Sequence, residues 1–203
     1  LLADDTLGLN ASVFYSQRDD QQVRTSFQID PGDPASFVFF TDNAATGTTV
    51  GAEADLRWSV TDAFEIFANI GLLDASFDES IAPQGNLGGR AQAHAPHYTA
   101  AAGAAYRHTN GFFARLDASA RDDFYFDVSH NQKSSAYELL NARIGYEGES
   151  WSLQFWGRNL FDRRYAVRGF YFGNEPPDFP DTLYTRPGDP RHFGITISKR
   201  FNK

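Results

Sequence analysis

"YTAAAGAAYRHTNGFFARLDASAR", Tyr98 to Arg121, is the stretch that decides the fold. Tyr98, Ala100, Ala102, Ala104 and Tyr106 fall on one parity, and Thr99, Ala101, Gly103, Ala105 and Arg107 on the other. After His108-Thr109-Asn110-Gly111 the alternation resumes. Phe112, Ala114, Leu116, Ala118 and Ala120 then oppose Phe113, Arg115, Asp117, Ser119 and Arg121. A period of two is the signature of a strand with two unlike faces, and the Asn-Gly between the limbs marks a tight turn. Strands of about ten residues, at ~3.3 Å per residue and a ~40° tilt, cross an apolar band of roughly 25 Å.

The same pattern extends in both directions. It covers Thr6 to Gln28, with a possible interruption at Arg18–Gln21, and then Val50–Val60 and Phe64–Leu72. Beyond the hairpin it returns at Leu140–Tyr146, Trp151–Arg158 and His192–Phe201. The reading is all-β, with about eight antiparallel strands. The connections at Thr61–Ala63, His108–Gly111 and Glu147–Ser150 are short, whereas those at Asp30–Gly47, Ala75–Ala93, Asp127–Ser134 and Phe161–Arg191 are long. A soluble sandwich has no reason to sort its loops this way. A transmembrane barrel does, with short turns on the periplasmic side and long loops outside.

Aromatic residues cluster beside the short turns: Trp58 and Phe64, Tyr106 and Phe112, Tyr146 and Trp151, and finally Phe201. Rings at that level form an interfacial girdle. The polar parity carries Glu53, Asp55, Arg57, Arg115, Asp117, Arg143 and Arg158. Charges are costly against lipid but acceptable in a watery or protein-filled lumen.

Composition narrows the alternatives. The chain has 203 residues, 41% hydrophobic and 15% aromatic, and a formal net charge of -8. No run reaches the roughly 18 apolar residues of a membrane helix. With Cys at 0, disulfides and thiolate metal sites are excluded. The acidic balance argues against a nucleic-acid partner. Leu1-Leu2-Ala3-Asp4-Asp5 has no basic leader, so the expectation is a mature form or a fragment. His94-Ala95-Pro96-His97 does not read as a metal site, because residues three apart on an extended segment point to opposite faces. No nucleophile motif, nucleotide-binding glycine loop or cofactor signature stands out, so neither an enzyme nor a cofactor is expected.

Three stretches resemble the TonB-dependent outer-membrane receptors. "WGRNLFDRRYAVRGF" (Trp156–Phe170) resembles their penultimate strand and last outer loop, and "PGDPRHFGITISKRF" (Pro187–Phe201) their final strand. "GAEADLRW" (Gly51–Trp58) resembles an earlier strand, with Asp55 in place of a usual Glu. The resemblance implies a barrel of about 22 strands with an N-terminal plug domain and a TonB box. Residues 1–203 are then expected to be its C-terminal portion, without plug or TonB box. The alternative is a free-standing eight-stranded barrel with a passive or structural role.

The resemblance further implies the partners: outer-membrane lipid, the barrel-assembly machinery, the receptor's own plug, TonB, and a small-molecule ligand such as a siderophore, cobalamin or saccharide. The assembly signal would be Phe193, Ile195, Ile197 and Phe201, read by strand addition. Glu53, Asp55, Arg57, Arg115, Asp117, Arg143 and Arg158 would face lumen and plug. Arg163, Arg164, Tyr165, Arg168, Phe170, Tyr171, Phe172 and Tyr184 are ligand-loop candidates, because rings stack on ligands and arginines meet anions.

Overall fold

The computed structural model describes residues 6–30, 32–33, 36–82, 85–128, 130–173, 175–180 and 182–201. Its strands are β1 (Leu7–Gln28), β2 (Phe37–Thr61), β3 (Phe64–Ala82), β4 (Gly85–Asn86), β5 (Tyr98–Arg107), β6 (Phe112–Arg121), β7 (Tyr137–Glu147), β8 (Trp151–Arg158), β9 (Ala166–Phe172), β10 (Thr182–Pro187) and β11 (His192–Lys199). Eight of them form one antiparallel meander in the order β1-β2-β3-β5-β6-β7-β8-β11. β4 pairs with the end of β3, and β9 and β10 make a separate hairpin. Among the described residues β1 and β11 each have one neighbour, so the sheet is open at both edges.

Two expectations are corrected. The connection placed at Asp30–Gly47 is largely strand, because β2 begins at Phe37 and follows β1 up to the Gln28–Phe37 pair. β3 likewise runs to Ala82, well into the expected Ala75–Ala93 loop. These segments do not alternate cleanly, and the ladder with a neighbouring strand holds them. The break expected in β1 is a bulge, with register shifts between Arg18 and Gln22 and Asp20 at φ 54°.

The register turns the parity of each strand into two faces across the sheet. On one face Ile70, Ala100 and Ala120 lie in line, as do Ile144, Phe155 and Ile195. Val13, Leu72, Leu116, Ile144, Ile195 and Ile197 are all exposed there. Such a face is unfavourable in water and suited to lipid. Trp58, Tyr106, Phe112, Tyr146 and Trp151 lie on it beside the short turns, and Tyr146 stacks on Trp151 at 5.3 Å.

The other face carries a repeated joint. Phe14 lies directly opposite Gly51, Phe67 opposite Gly103, Phe113 opposite Gly145, and Trp156 opposite Gly194. Each ring occupies the space that a Cβ on its glycine would need. On this face the ring comes from the strand leading to the outer end and the glycine from the strand returning, so each outer hairpin has one such joint; on the apolar face of the β8–β11 hairpin the order is reversed, with Phe193 over Gly157. An aromatic ring laid over a cross-strand glycine covers bare backbone and fixes the register.

Apart from Phe113, at 8% exposed, the buried hydrophobic residues lie elsewhere. Ala45, Ala75, Phe77, Phe124 and Phe126 are 6% exposed or less, and all belong to the outer ends of strands or to the outer loops. Leu87 and Val128 pack against the Ala45–Phe77 cluster.

Candidate functional site

The outer end is built around a polar hub. Asn159 is 3% exposed and holds φ 48°, a left-handed conformation that Asn tolerates better than most residues. Its N–H donates to Asn141 Oδ1 at 2.9 Å. Its Nδ2 donates to the carbonyls of Arg163 (2.9 Å) and Asp189 (3.0 Å), and its Oδ1 accepts the Arg163 N–H at 2.8 Å. Asp162 Oδ1 accepts the Arg191 N–H at 3.0 Å. The segment leaving β8 is thereby tied to the segment leading into β11. This bonding gives "NLFD" and "PGDPR" a structural reason for their residue types.

A cleft of ≈ 750 Å³ on the lipid face is an open furrow between strands, whereas one of ≈ 670 Å³ lies among the outer loops. The latter is lined by Lys133, Arg163, Arg164, Tyr165, Leu183 and Thr185 among others. Lys133 pairs with Asp123 at 3.1 Å and Arg163 with Glu138 at 3.7 Å. Tyr165 is wedged between Tyr137, at 4.3 Å, and Gly188, whose missing Cβ makes room for the ring. Burial, and then the neighbouring Tyr137, push the Tyr165 hydroxyl above its ordinary range. Tyr165 therefore serves as cleft wall.

The loop between β6 and β7 carries the β9–β10 hairpin. The Phe126 ring fills the space beside Gly169, and His130 stacks on Tyr171 at 3.5 Å with 12° between the planes. Arg90 fixes this loop by donating to the carbonyls of Val128, Asp127 and His130. It also lies over the Tyr125 ring at 4.1 Å, with Lys133 over the same ring at 4.6 Å. His94 packs on Phe124 at 5.1 Å. Burial lowers its proton affinity first, and the nearby Arg121 and Arg168 lower it further.

The structure thus divides the ligand-loop candidates. Arg163, Arg164 and Tyr165 line the cleft. Tyr171 packs inward, whereas Arg168, Phe170 and Tyr184 share the opposite face of the hairpin. Phe172 pairs with Thr182, and its side chain lies outside the described residues. The sequence reading passed over Asn159, Gly188, Arg90 and Arg186. The Asn-Leu-Phe-Asp run that begins at Asn159, and Gly188 inside a Pro-Gly-Asp-Pro run, were the available signals.

The polar-parity candidates share the ring-and-glycine face. Arg115 holds Asp117 at 2.7 Å, lies over Phe67 at 4.3 Å, and opposes Arg143 in register. Arg57 approaches Glu65 at 3.9 Å, and Arg158 lies 5.5 Å from the Trp156 ring. Glu53 and Asp55 stand opposite Gly71 and Asn69. Phe193, Ile195 and Ile197 are exposed on β11, an edge strand that ends at Lys199. Phe201, expected within that strand, lies beyond it beneath the Lys199 ammonium at 5.2 Å.

An open antiparallel sheet with one exposed apolar side, one charged side and a folded crown at the end of the long loops has the geometry of part of a transmembrane barrel wall. Residues 2–160 match the family model described as TonB dependent receptor-like, beta-barrel, and the chain belongs to that family. The chain is similar to the ferric yersiniabactin uptake receptor FyuA from Yersinia pestis, at 20% identity and a TM-score of 0.75, covering 98% of this chain and 28% of that one. It is also similar to the siderophore receptor PiuA from Acinetobacter baumannii, at 20% identity and a TM-score of 0.69, over 97% of this chain and 26% of that one. The copper transporter OprC aligns at 16% identity and a TM-score of 0.74, over 97% of this chain and 29% of that one. The chain thus spans between a quarter and a third of the length of these receptors. TonB-dependent receptors are outer-membrane transporters of Gram-negative bacteria, not enzymes.

Proposed function

We propose that residues 1–203 are the C-terminal portion of the barrel of a receptor that takes up a scarce ligand with energy delivered by TonB to its plug. The observation that carries this is the open sheet. Among the described residues, eight strands fit to stand in lipid leave both edges unpaired, which a free-standing eight-stranded barrel would join to each other. In this reading further barrel strands pair with β1 and β11. The plug rests against Glu53, Asp55, Arg57, Arg115, Asp117, Arg143 and Arg158, and the outer crown meets the ligand. A ferric yersiniabactin uptake receptor and a copper transporter among the similar solved structures favour a metal-bearing ligand.

The test uses the full-length gene. Purified receptor should capture the periplasmic domain of TonB, and cells should lose uptake of the ligand when either the receptor or TonB is deleted. Uptake that persists without TonB would overturn the reading. β11 is further proposed to be the strand read by the barrel-assembly machinery. Deleting Phe201 should then leave the receptor in the periplasm, and normal insertion of that deletion would refute the role.

A further inference from the structure

The charged face of the sheet is not evenly charged. On β2 and β3 it carries Glu53, Asp55 and Glu65 against Arg57. On β5 to β8 it carries Arg107, Arg115, Arg121, Arg143 and Arg158 against Asp117 and Glu147. Three of these arginines are engaged. Arg107 pairs with Glu147, Arg115 pairs with Asp117, and Arg121 lies over the Phe124 ring at 4.3 Å. Among the described residues Arg143 and Arg158 have no carboxylate within ion-pair distance, and both are exposed. β8 and β11 contain no Asp or Glu that could serve them.

Trp156 stands between the two. The register sets Arg143 directly opposite Trp156 on one side and Arg115 on the other. Like charges directly opposite on a ladder repel. Arg158 lies 5.5 Å from the Trp156 ring. The indole is fixed in place. Its Nε1 donates to Thr196 Oγ1 at 3.2 Å, its ring covers Gly194, and the His192 ring stands across it at 5.5 Å and 83°. The group belongs to the wall below the Asn159 hub, not to the crown.

We propose that Arg143 and Arg158, with Trp156 between them, seat a carboxylate-bearing segment of the plug. This deepens the uptake reading and rests on it only for a plug filling the lumen. Each guanidinium presents a fork that matches a carboxylate through two parallel N–H···O bonds. The fixed indole sets where the segment can lie. A resident carboxylate relieves the Arg115–Arg143 repulsion at all times, which an anion in transit does only as it passes. β2, with Glu53 and Asp55, lies four ladders from β7, about 19 Å at ~4.8 Å per ladder. An acidic segment is repelled there and drawn to β7 and β8. The seat therefore also fixes which side of the plug faces this part of the wall.

The test uses the full-length receptor in detergent micelles without ligand. Gln154, on the same face beside Trp156, is replaced by the photo-crosslinker p-benzoylphenylalanine. Mass spectrometry after irradiation should place the crosslink on a plug segment beside an Asp or Glu. The amides of that segment should exchange at least about tenfold faster in R143Q/R158Q than in wild type. R143K/R158K keeps the charge but loses the forks, so it should fall between the two. R143E/R158E should regain wild-type protection when the mapped carboxylate is changed to Arg. Arginines that only pack the wall would give no such rescue, and heat-modifiable gel mobility checks each barrel. A crosslink confined to the barrel or to a plug segment without a carboxylate overturns the seat. So does wild-type exchange in the double glutamine variant, or a failed rescue. Such an outcome alongside intact capture of TonB leaves the uptake reading standing. Failed capture of TonB by wild type overturns the uptake reading, while the crosslink still decides the seat.

Discussion

The membrane band and the outer crown use aromatic residues in opposite ways. In the band, Trp58, Tyr106, Tyr146 and Trp151 are exposed, and the surrounding solvent is expected to be lipid. In the crown, Phe77, Phe124 and Phe126 are 4% exposed or less, packed as in a small water-soluble domain. The inner face of the band is a third case, where rings cover glycines across each outer hairpin. One chain therefore satisfies three solvents. It places the rings by parity within the band and by loop packing outside it.

The inner-face joints should give the largest effects. In Gly145→Val the new side chain meets both the Phe113 ring and the Leu153 carbonyl. Backbone cannot yield there, so this variant should fail to insert, as read by loss of heat-modifiable mobility. Gly194→Ala meets only the Trp156 ring among its three nearest atoms. It should be destabilised alone and largely restored by Trp156→Ala in the same chain, a coupling measurable by a double-mutant cycle. Full additivity of the two changes would mean that the rings do not set the register.

The next contrast sets the crown against the band. Phe124→Ala empties a closed site and should cost about 3–5 kcal/mol of local stability. Ile195→Ala removes three methyl-sized groups from the exposed face, at ~0.8 kcal/mol each and without a cavity, because lipid flows in. Denaturant titration in vesicles and hydrogen exchange in the crown separate the two, and equal costs would erase the distinction. Asn159→Ala leaves the Arg163 and Asp189 carbonyls and the Arg163 N–H without their partner, at about 2–3 kcal/mol. Trypsin should then cut at Arg163 and Arg164 sooner, with barrel mobility unchanged.

The smallest effect concerns pH. His94 in the crown has its proton affinity lowered by burial, then by Arg121 and Arg168. The folded crown thus binds this proton less tightly than the unfolded chain does. The contribution is complete above the ordinary histidine pKa of about 6.5 and is lost as pH falls from there through the lower folded-state value. Amide exchange at Phe124 and Phe126, corrected for intrinsic rates, should accelerate as pH falls below about 6.5. His94→Gln should flatten that response.

Much of the band was legible in the sequence. Tyr98–Arg107 and Phe112–Arg121 were readable to within a residue because side-chain period is a local property of a strand. The outer parts of β2 and β3 were not, because Phe37–Gly47 and Asp74–Ala82 are held by ladders with β1 and with each other. Among site residues, Arg168, Phe170 and Tyr184 stood out as an aromatic and basic cluster. Arg186 did not, since only the hairpin register brings it opposite Arg168.

By itself the sequence determined which residues share each face of the sheet and which end of the sheet carries the long connections. Each of these follows from alternation and turn chemistry within a few residues. The tertiary structure alone decided which ring covers which glycine, that Tyr165 is a cleft wall, and that, among the described residues, Arg168 and Arg186 have no carboxylate within ion-pair distance and the sheet is open at β1 and β11. Those facts depend on cross-strand register and loop docking between residues far apart in the chain, and parity carries no information about either.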